Sequence, residues 1–165
     1  MWWIGDRYTE AKELNEINML RDVDKAYIAG LVDGEGCITL RREVRKENHR
    51  GWRINPHVGI YNTNREVLEW AQQTLACGCL WKTTMSKKHA KAHYKQMYVL
   101  HFNAHDIRSL LPQLLPYLKI KKLPAELVLE YLSMVSQGKA MTEAQEARAL
   151  ELLQLVQKTR VRVTT

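Results

Sequence analysis

The sequence predicts an α+β fold in which one antiparallel sheet carries its helices on a single face. Three observations predict it. Residues 37–62 and 79–102 each hold two strand-like runs of hairpin length, the first of them alternating between apolar and polar residues. An amphipathic helical stretch separates the two pairs. A series of helical patterns follows the second pair, so the element order reads αββαββα-α-α.

Taken in chain order, residues 1–21 read as an appended arm with a weak helix over about 9–20. Asp22 or Asp24 stands where a side chain can cap a helix running to about Gly34. "CITLRREV" then alternates, with Ile38, Leu40 and Val44 on one parity and Thr39, Arg41, Glu43 and Arg45 on the other. "WRINPHVGIYN" reads as a second strand, interrupted or bent at Pro56. Asn62, Thr63 or Asn64 opens the helix of "NREVLEWAQQTLA", which Gly78 ends. "CLWKTTM" and "QMYVLHF" are strands joined by a lysine-rich loop over 86–95. "AHDIRSLLPQLLPYL" is helical, with Pro112 and Pro116 placed to kink or break it. Pro124 suits the first turn of the next helix, which stops before Gly138. Thr142 and Gln145 form a capping box for a last helix over about 143–158. One domain over 22–160 is expected, between the N-terminal extension and a short tail at 161–165.

The totals narrow the function. The chain has 165 residues, 45% apolar and 26% charged, with a net charge of +7 and pI ≈ 9.4. Such a surplus favours a polyanionic partner, nucleic acid before an anionic membrane surface. No apolar run reaches the ~18 residues of a membrane span, and no secretory pattern opens the chain. The three cysteines are odd in number and argue for reduced thiols in the cytosol or an organelle interior.

The stretch "AYIAGLVDGEGCITL" departs from an ordinary helix-to-strand junction. Ala26, Gly30 and Gly34, four apart, leave one helix face nearly flat. That face suits either a neighbouring helix of the same chain or its own copy across a two-fold axis. Asp33 and Glu35 then sit at the negative end of the helix dipole, which disfavours carboxylates by up to about 1 kcal/mol each. Two copies would bring the Glu35 carboxylates together, an arrangement that a divalent cation would relieve.

These residues resemble a known motif. "YIAGLVDGEG", residues 27–36, is similar to the LAGLIDADG signature, and the weaker resemblance runs from about 22 to 137 through "IYNTNREVLEW" and "LLPYLKIKKLPAELVLEYL". One motif copy in a chain of this length resembles the homodimeric homing endonucleases. The resemblance implies a saddle-like sheet, and Ala26, Ala29, Gly30, Asp33 and Gly34 at a dimer interface. It implies metal-dependent hydrolysis of both strands of a long, near-palindromic double-stranded DNA site, by an enzyme encoded in an intron or intein. Glu35 and the Gly34 carbonyl would bind Mg²⁺, with Mn²⁺ as a substitute. Asp33 would support the helix end. Lys121, with Lys119 as the alternative, would stand near the scissile phosphate, Asn62 would position solvent, and Arg65 would be a peripheral base. The runner-up is a non-catalytic binder of the same fold, such as an RNA maturase acting on intron RNA.

On the open sheet face, Thr39, Arg41, Glu43, Arg45, Arg53, Asn55 and Tyr61 are the expected DNA contacts. Lys82 and Thr84, or Gln96 and Tyr98, would extend that surface. Residues 41–53 hold six Lys or Arg against two Glu, and 82–95 hold five Lys and no acid. Arg and Asn can read guanine and adenine from the major groove. Lys87, Lys88 and Lys91 in the loop suit phosphates instead. "CGC" at 77–79 with His89 and His93 has tighter spacing than zinc sites use, so buried thiols at a turn are the simpler reading. Trp2 and Trp3 are read as packing on the domain, and His101 and His105 as structural.

Overall fold

The computed structural model describes residues 20–47, 51–84, 95–135 and 140–161. The expected helix over 9–20 lies almost wholly outside them, as do Trp2, Trp3, Lys87, Lys88, His89, Lys91, His93 and Gly138. The described elements are α1 Asp22–Glu35, β1 Gly36–Val44, β2 Trp52–Asn62, α2 Arg65–Leu75, β3 Cys79–Lys82, β4 Tyr98–Phe102, α3 Ala104–Leu114, α4 Lys122–Met134 and α5 Glu143–Val161. The strands form one antiparallel sheet in the order β1-β2-β4-β3.

Even-numbered strand residues make the core. Ile38, Leu40, Ile54, Val58, Ile60, Leu100 and Phe102 pack with Ile28 and Val32 of α1, Leu68 of α2, Ile107 and Leu111 of α3, Val128 of α4 and Leu152 of α5. The odd parity forms the open face. A buried hydrogen bond from Tyr131 Oη to the Ile54 carbonyl, 2.6 Å, fixes α4 to the sheet.

Several local expectations change. Neither Asp22 nor Asp24 caps α1. The N-cap is Arg21, and the two acids sit in the first turn, paired with Lys25 and Arg21 respectively. β2 is not interrupted at Pro56, which pairs with Leu40; β4 pairs only with Val58–Asn62, so no second strand needs the missing Pro56 N–H. α2 is capped by Asn64, whose side chain accepts from the N–H groups of Glu66 and Val67. It ends at Ala76 in the left-handed conformation rather than at Gly78. α3 continues through Pro112 and stops short of Pro116, behind a capping box of Asn103 and Asp106. The Thr142–Gln145 box forms as expected, and α5 extends to Val161.

Gly78 has φ +87, and an added Cβ would lie 2.9 Å from both Leu100 Cδ1 and Phe102 Cε1. Gly78→Ala should therefore lower stability by about 1–3 kcal/mol, a fall of roughly 2–4 °C in Tm per kcal/mol. Thermal unfolding checks this.

Candidate functional site

The end of α1 carries no basic residue in its last turn. Its cation arrives from far along the chain. The Asp33 carboxylate accepts three backbone N–H groups, from Lys119 at 2.7 Å, Ile120 at 3.2 Å and Lys121 at 2.8 Å. Lys121 is the N-cap of α4, and its Nζ donates back to the Asp33 carbonyl oxygen. The result is a reciprocal clamp. The carboxylate holds the lysine's backbone, and the ammonium neutralises the negative helix end. Partial burial pushes the Lys121 pKa below the usual lysine value, while the charges of Asp33, Cys37 and Glu35 pull it back.

Glu35, the last residue of α1, is exposed, as is Gly34. Gly36 follows at a junction too tight for a side chain, since a Cβ there would lie 2.5 Å from the Val32 carbonyl oxygen. The turn from helix to strand thus keeps Glu35 beside the clamp. Among the described residues, no three His, Cys, Asp or Glu side chains gather to hold a metal ion. Of the expected metal donors, each chain carries the Glu35 carboxylate and the Gly34 carbonyl. These are hard oxygen donors that suit Mg²⁺, but they are too few to enclose it.

Other expected site residues are committed elsewhere. The Asn62 side chain accepts from Asn64 N–H at 2.8 Å in the turn that opens α2. Arg65 pairs with Glu69 at 2.8 Å and lies over the Tyr98 ring, so it belongs to the surface of α2. Ala29 is fully buried in the core of its own chain and is removed from the candidate interface. Ala26, Gly30 and Gly34 are exposed, and no described residue lies within 4 Å of where a Cβ would stand on either glycine. Val23, 65% exposed, and Tyr27, 54% exposed with its ring edge-to-face on Trp70, flank them.

By register, Arg41, Glu43, Arg53, Asn55 and Tyr61 share the open face, and Arg45 continues it past the end of β1. Asn55 Nδ2 donates to Glu43 Oε2 at 2.6 Å, and Arg45 lies 3.5 Å from the same oxygen. Thr39 has the open-face parity but is only 1% exposed, beside its register partner His57. Lys82 does not extend that face. It pairs with Tyr98 two residues beyond Leu80 and Leu100, on the helix side, and Thr84 lies past the end of β3.

The open-face residues of β3 and β4 are Cys79, Trp81, Val99 and His101. His101 is not merely a junction residue. Its Nε2 lies 3.2 Å from His57 Nδ1, His57 Nε2 lies 3.0 Å from Tyr61 Oη, and the Trp81 ring tilts over His101. Burial, then the Arg41 charge, lowers the His101 pKa against an opposing Asp106. This row escaped the sequence reading because β3 and β4 are short and apolar on both parities. Burial pushes the Cys77 thiol up to about 11 with help from Asp106, which suits an inert thiol at a turn, whereas Cys79, expected to be buried with it, is exposed.

The fold and motif together define the class, and the chain belongs to the LAGLIDADG endonuclease family, whose model matches residues 28–134. No curated protein matches the chain in sequence. The archaeal intron-encoded homing endonuclease I-Vdi141I, complexed with DNA, superimposes with a TM-score of 0.71 at 21% identity, over 84% of each chain. The homing endonuclease I-CvuI, in complex with the I-CreI target with Mg present and the DNA not cleaved, gives 0.69 at 22% identity, over 83% of this chain and 82% of that one. The I-SmaMI LAGLIDADG homing endonuclease bound to cleaved DNA gives 0.63 at 16% identity, over 78% of this chain and 42% of that one. At these identities the likenesses show the fold. No described helix is long and apolar enough to cross a membrane.

The clamp has a direct consequence. Asp33→Asn keeps the size but turns one accepting oxygen into a donor, so one or more N–H groups of 119–121 lose their partner. Stability should fall by about 1 kcal/mol, and hydrogen exchange at those three amides should accelerate while the sheet amides stay protected.

Proposed function

We propose that the chain is a homodimeric, divalent-metal-dependent homing endonuclease that cuts both strands of a near-palindromic duplex. The observation that carries this reading is the reciprocal clamp, which holds a part-buried lysine beside an exposed acid at the end of a helix face whose glycines no described residue covers. A structural ion pair would have Lys121 bond the Glu35 carboxylate. Here the ammonium goes to the backbone, and Glu35 keeps its oxygens for another ligand.

Two copies joined along Ala26, Gly30 and Gly34 would bring both Glu35 carboxylates to one centre. Glu35 and the Gly34 carbonyl would then hold Mg²⁺, or Mn²⁺ in its place, with further oxygens from the second copy and the DNA phosphates. When bound, such a cation supplies Lewis-acid stabilisation and lowers the pKa of a coordinated water. Lys121 contributes a fixed positive charge against the phosphate as negative charge builds on it. Asp33 keeps that charge in place without touching substrate. The open face, with Arg41, Arg45 and Arg53 on one hairpin, follows the duplex, and each neutralised phosphate adds about −0.9 to the slope of log K against log salt.

Gly30 separates interface from fold. No described residue fills the space around it, and leucine is a better helix former by roughly 0.5–1 kcal/mol. Gly30→Leu should leave the unfolding free energy of the monomer equal or higher and abolish the dimer by sedimentation. A dimer that persists would mean that another surface pairs the copies.

Glu35→Gln tests the chemistry. It preserves size, removes the charge that would hold the cation and takes one negative charge from the DNA-facing centre. Duplex affinity should hold or rise, while Mg²⁺-dependent cleavage of sites selected from a random duplex library should fall by several orders of magnitude. Unchanged cutting would remove Glu35 from the mechanism. Wild-type protein that binds duplex or intron RNA and never cuts would favour the maturase reading.

A further inference from the structure

An acid on a surface that faces phosphates is unfavourable unless it does something there. Glu43 stands near the hairpin end of the open-face strand pair, with Arg53 opposite it in register and Asn55 on the diagonal, opposite Arg41. Diagonal neighbours on one sheet face lie within reach of long side chains. Glu43 uses that reach: its Oε2 accepts from Asn55 Nδ2 at 2.6 Å and lies 3.5 Å from Arg45 Nη2. Glu43 and Asn55 are both half-buried, so the pair is held by packing as well as by the bond.

The chemistry of the pair fixes a direction. An ionised carboxylate only accepts hydrogen bonds, so the amide nitrogen of Asn55 must face Glu43. The amide is then locked against its 180° flip. Its outward edge presents one remaining N–H beside one carbonyl oxygen. That donor–acceptor order complements the major-groove edge of adenine, which offers the N7 acceptor beside the N6–H donor. Guanine presents two acceptors there, and one of them would meet the Asn55 oxygen. An amide free to turn could instead offer its NH₂ group to guanine or to thymine O4.

We propose that Glu43 is a positioning residue for sequence recognition: by locking the Asn55 amide it commits one base pair of each half-site to adenine. This rests on the DNA-cutting reading above and adds a specific readout to it. The carboxylate serves this role because, when ionised, it accepts hydrogen bonds and donates none.

That distinction sets the experiment. The full-length wild type, Glu43→Gln, Glu43→Met, Asn55→Leu and the Glu43→Met/Asn55→Leu double variant would be compared on a panel of duplexes. Each duplex would carry one base-pair change in the selected target, and thermal unfolding would confirm that each variant folds. The wild type should prefer adenine by on the order of 10-fold at one pair of symmetry-related positions. Asn55→Leu should erase that preference and leave the other positions unchanged. Glu43→Met should erase it too, and the double variant should lose nothing further. Glu43→Gln can donate as well as accept, so the Asn55 amide is free to turn and the preference should weaken, with tighter binding to every duplex. The inference is overturned if Glu43→Met retains the adenine preference, if it weakens all positions alike, or if Asn55→Leu acts at a position where the wild type prefers another base. It is also overturned if Glu43→Met fails to fold and Glu43→Gln keeps the full preference. A wild type with no sequence preference on any duplex would overturn the DNA-cutting reading as well, and that result is visible before any variant is made.

Discussion

The clamp between Asp33 and residues 119–121 is the constraint on which the rest of the site depends. A helix that ends in Asp33 and Glu35 with no basic residue nearby is electrostatically disfavoured. Three amides and one ammonium, drawn from 86–88 residues further along the chain, offset that cost. The same bonds tie the end of α1 to the start of α4. They also put Lys121 within the electrostatic reach of Glu35. In the proposed function, stability and chemistry are therefore set by one contact. Glu35, two residues on, is tolerable there because Asp33 recruits a cation to the helix end.

The sheet divides the labour by parity. Even-numbered strand residues bury the core under five described helices, and odd-numbered residues build the open face. On that face two kinds of order coexist. The β1–β2 hairpin carries arginines around the bonded pair of Glu43 and Asn55. The middle of the sheet carries a row of rings from Tyr61 through His57 and His101 to Trp81. In the row's neutral form, adjacent imidazole nitrogens must alternate as donor and acceptor. Adding protons to both histidines would set two N–H groups against each other. The row is thus ordered as long as it stays largely neutral, in line with the lowered pKa of His101.

How much of this was legible in sequence depends on the range of the interaction. β2 begins and ends where its alternating run does, and the Thr142–Gln145 box forms between residues three apart. Both signals are local and periodic. The motif placed Glu35 and the flat face correctly on α1, but spacing could not tell Ala29, one residue round the helix, from its exposed neighbours. Asp33 was legible as a support for the helix end, whereas its three amide partners were not, because no local pattern encodes a contact across the chain. Thr39 was misjudged because polarity marks the open face, and close neighbours such as His57 can still bury a residue there. β3 and β4 failed for the opposite reason. Val99 is apolar on the open side, so alternation carried no information about which way Lys82 pointed.

The central claim is that Asp33 acts on catalysis only through the position of Lys121. The most direct measurement is a double-mutant cycle on the single-turnover cleavage rate with saturating Mg²⁺, using Asp33→Asn, Lys121→Met and the pair. If the clamp is the link, Lys121→Met should slow cleavage by the order of 10²–10³ seen when one stabilising group is removed. Asp33→Asn should be slower than wild type, and the pair should cleave no more slowly than Lys121→Met alone. Losses that multiply in the double variant would contradict the account, because Asp33 would then act on the reaction by a route that does not pass through Lys121.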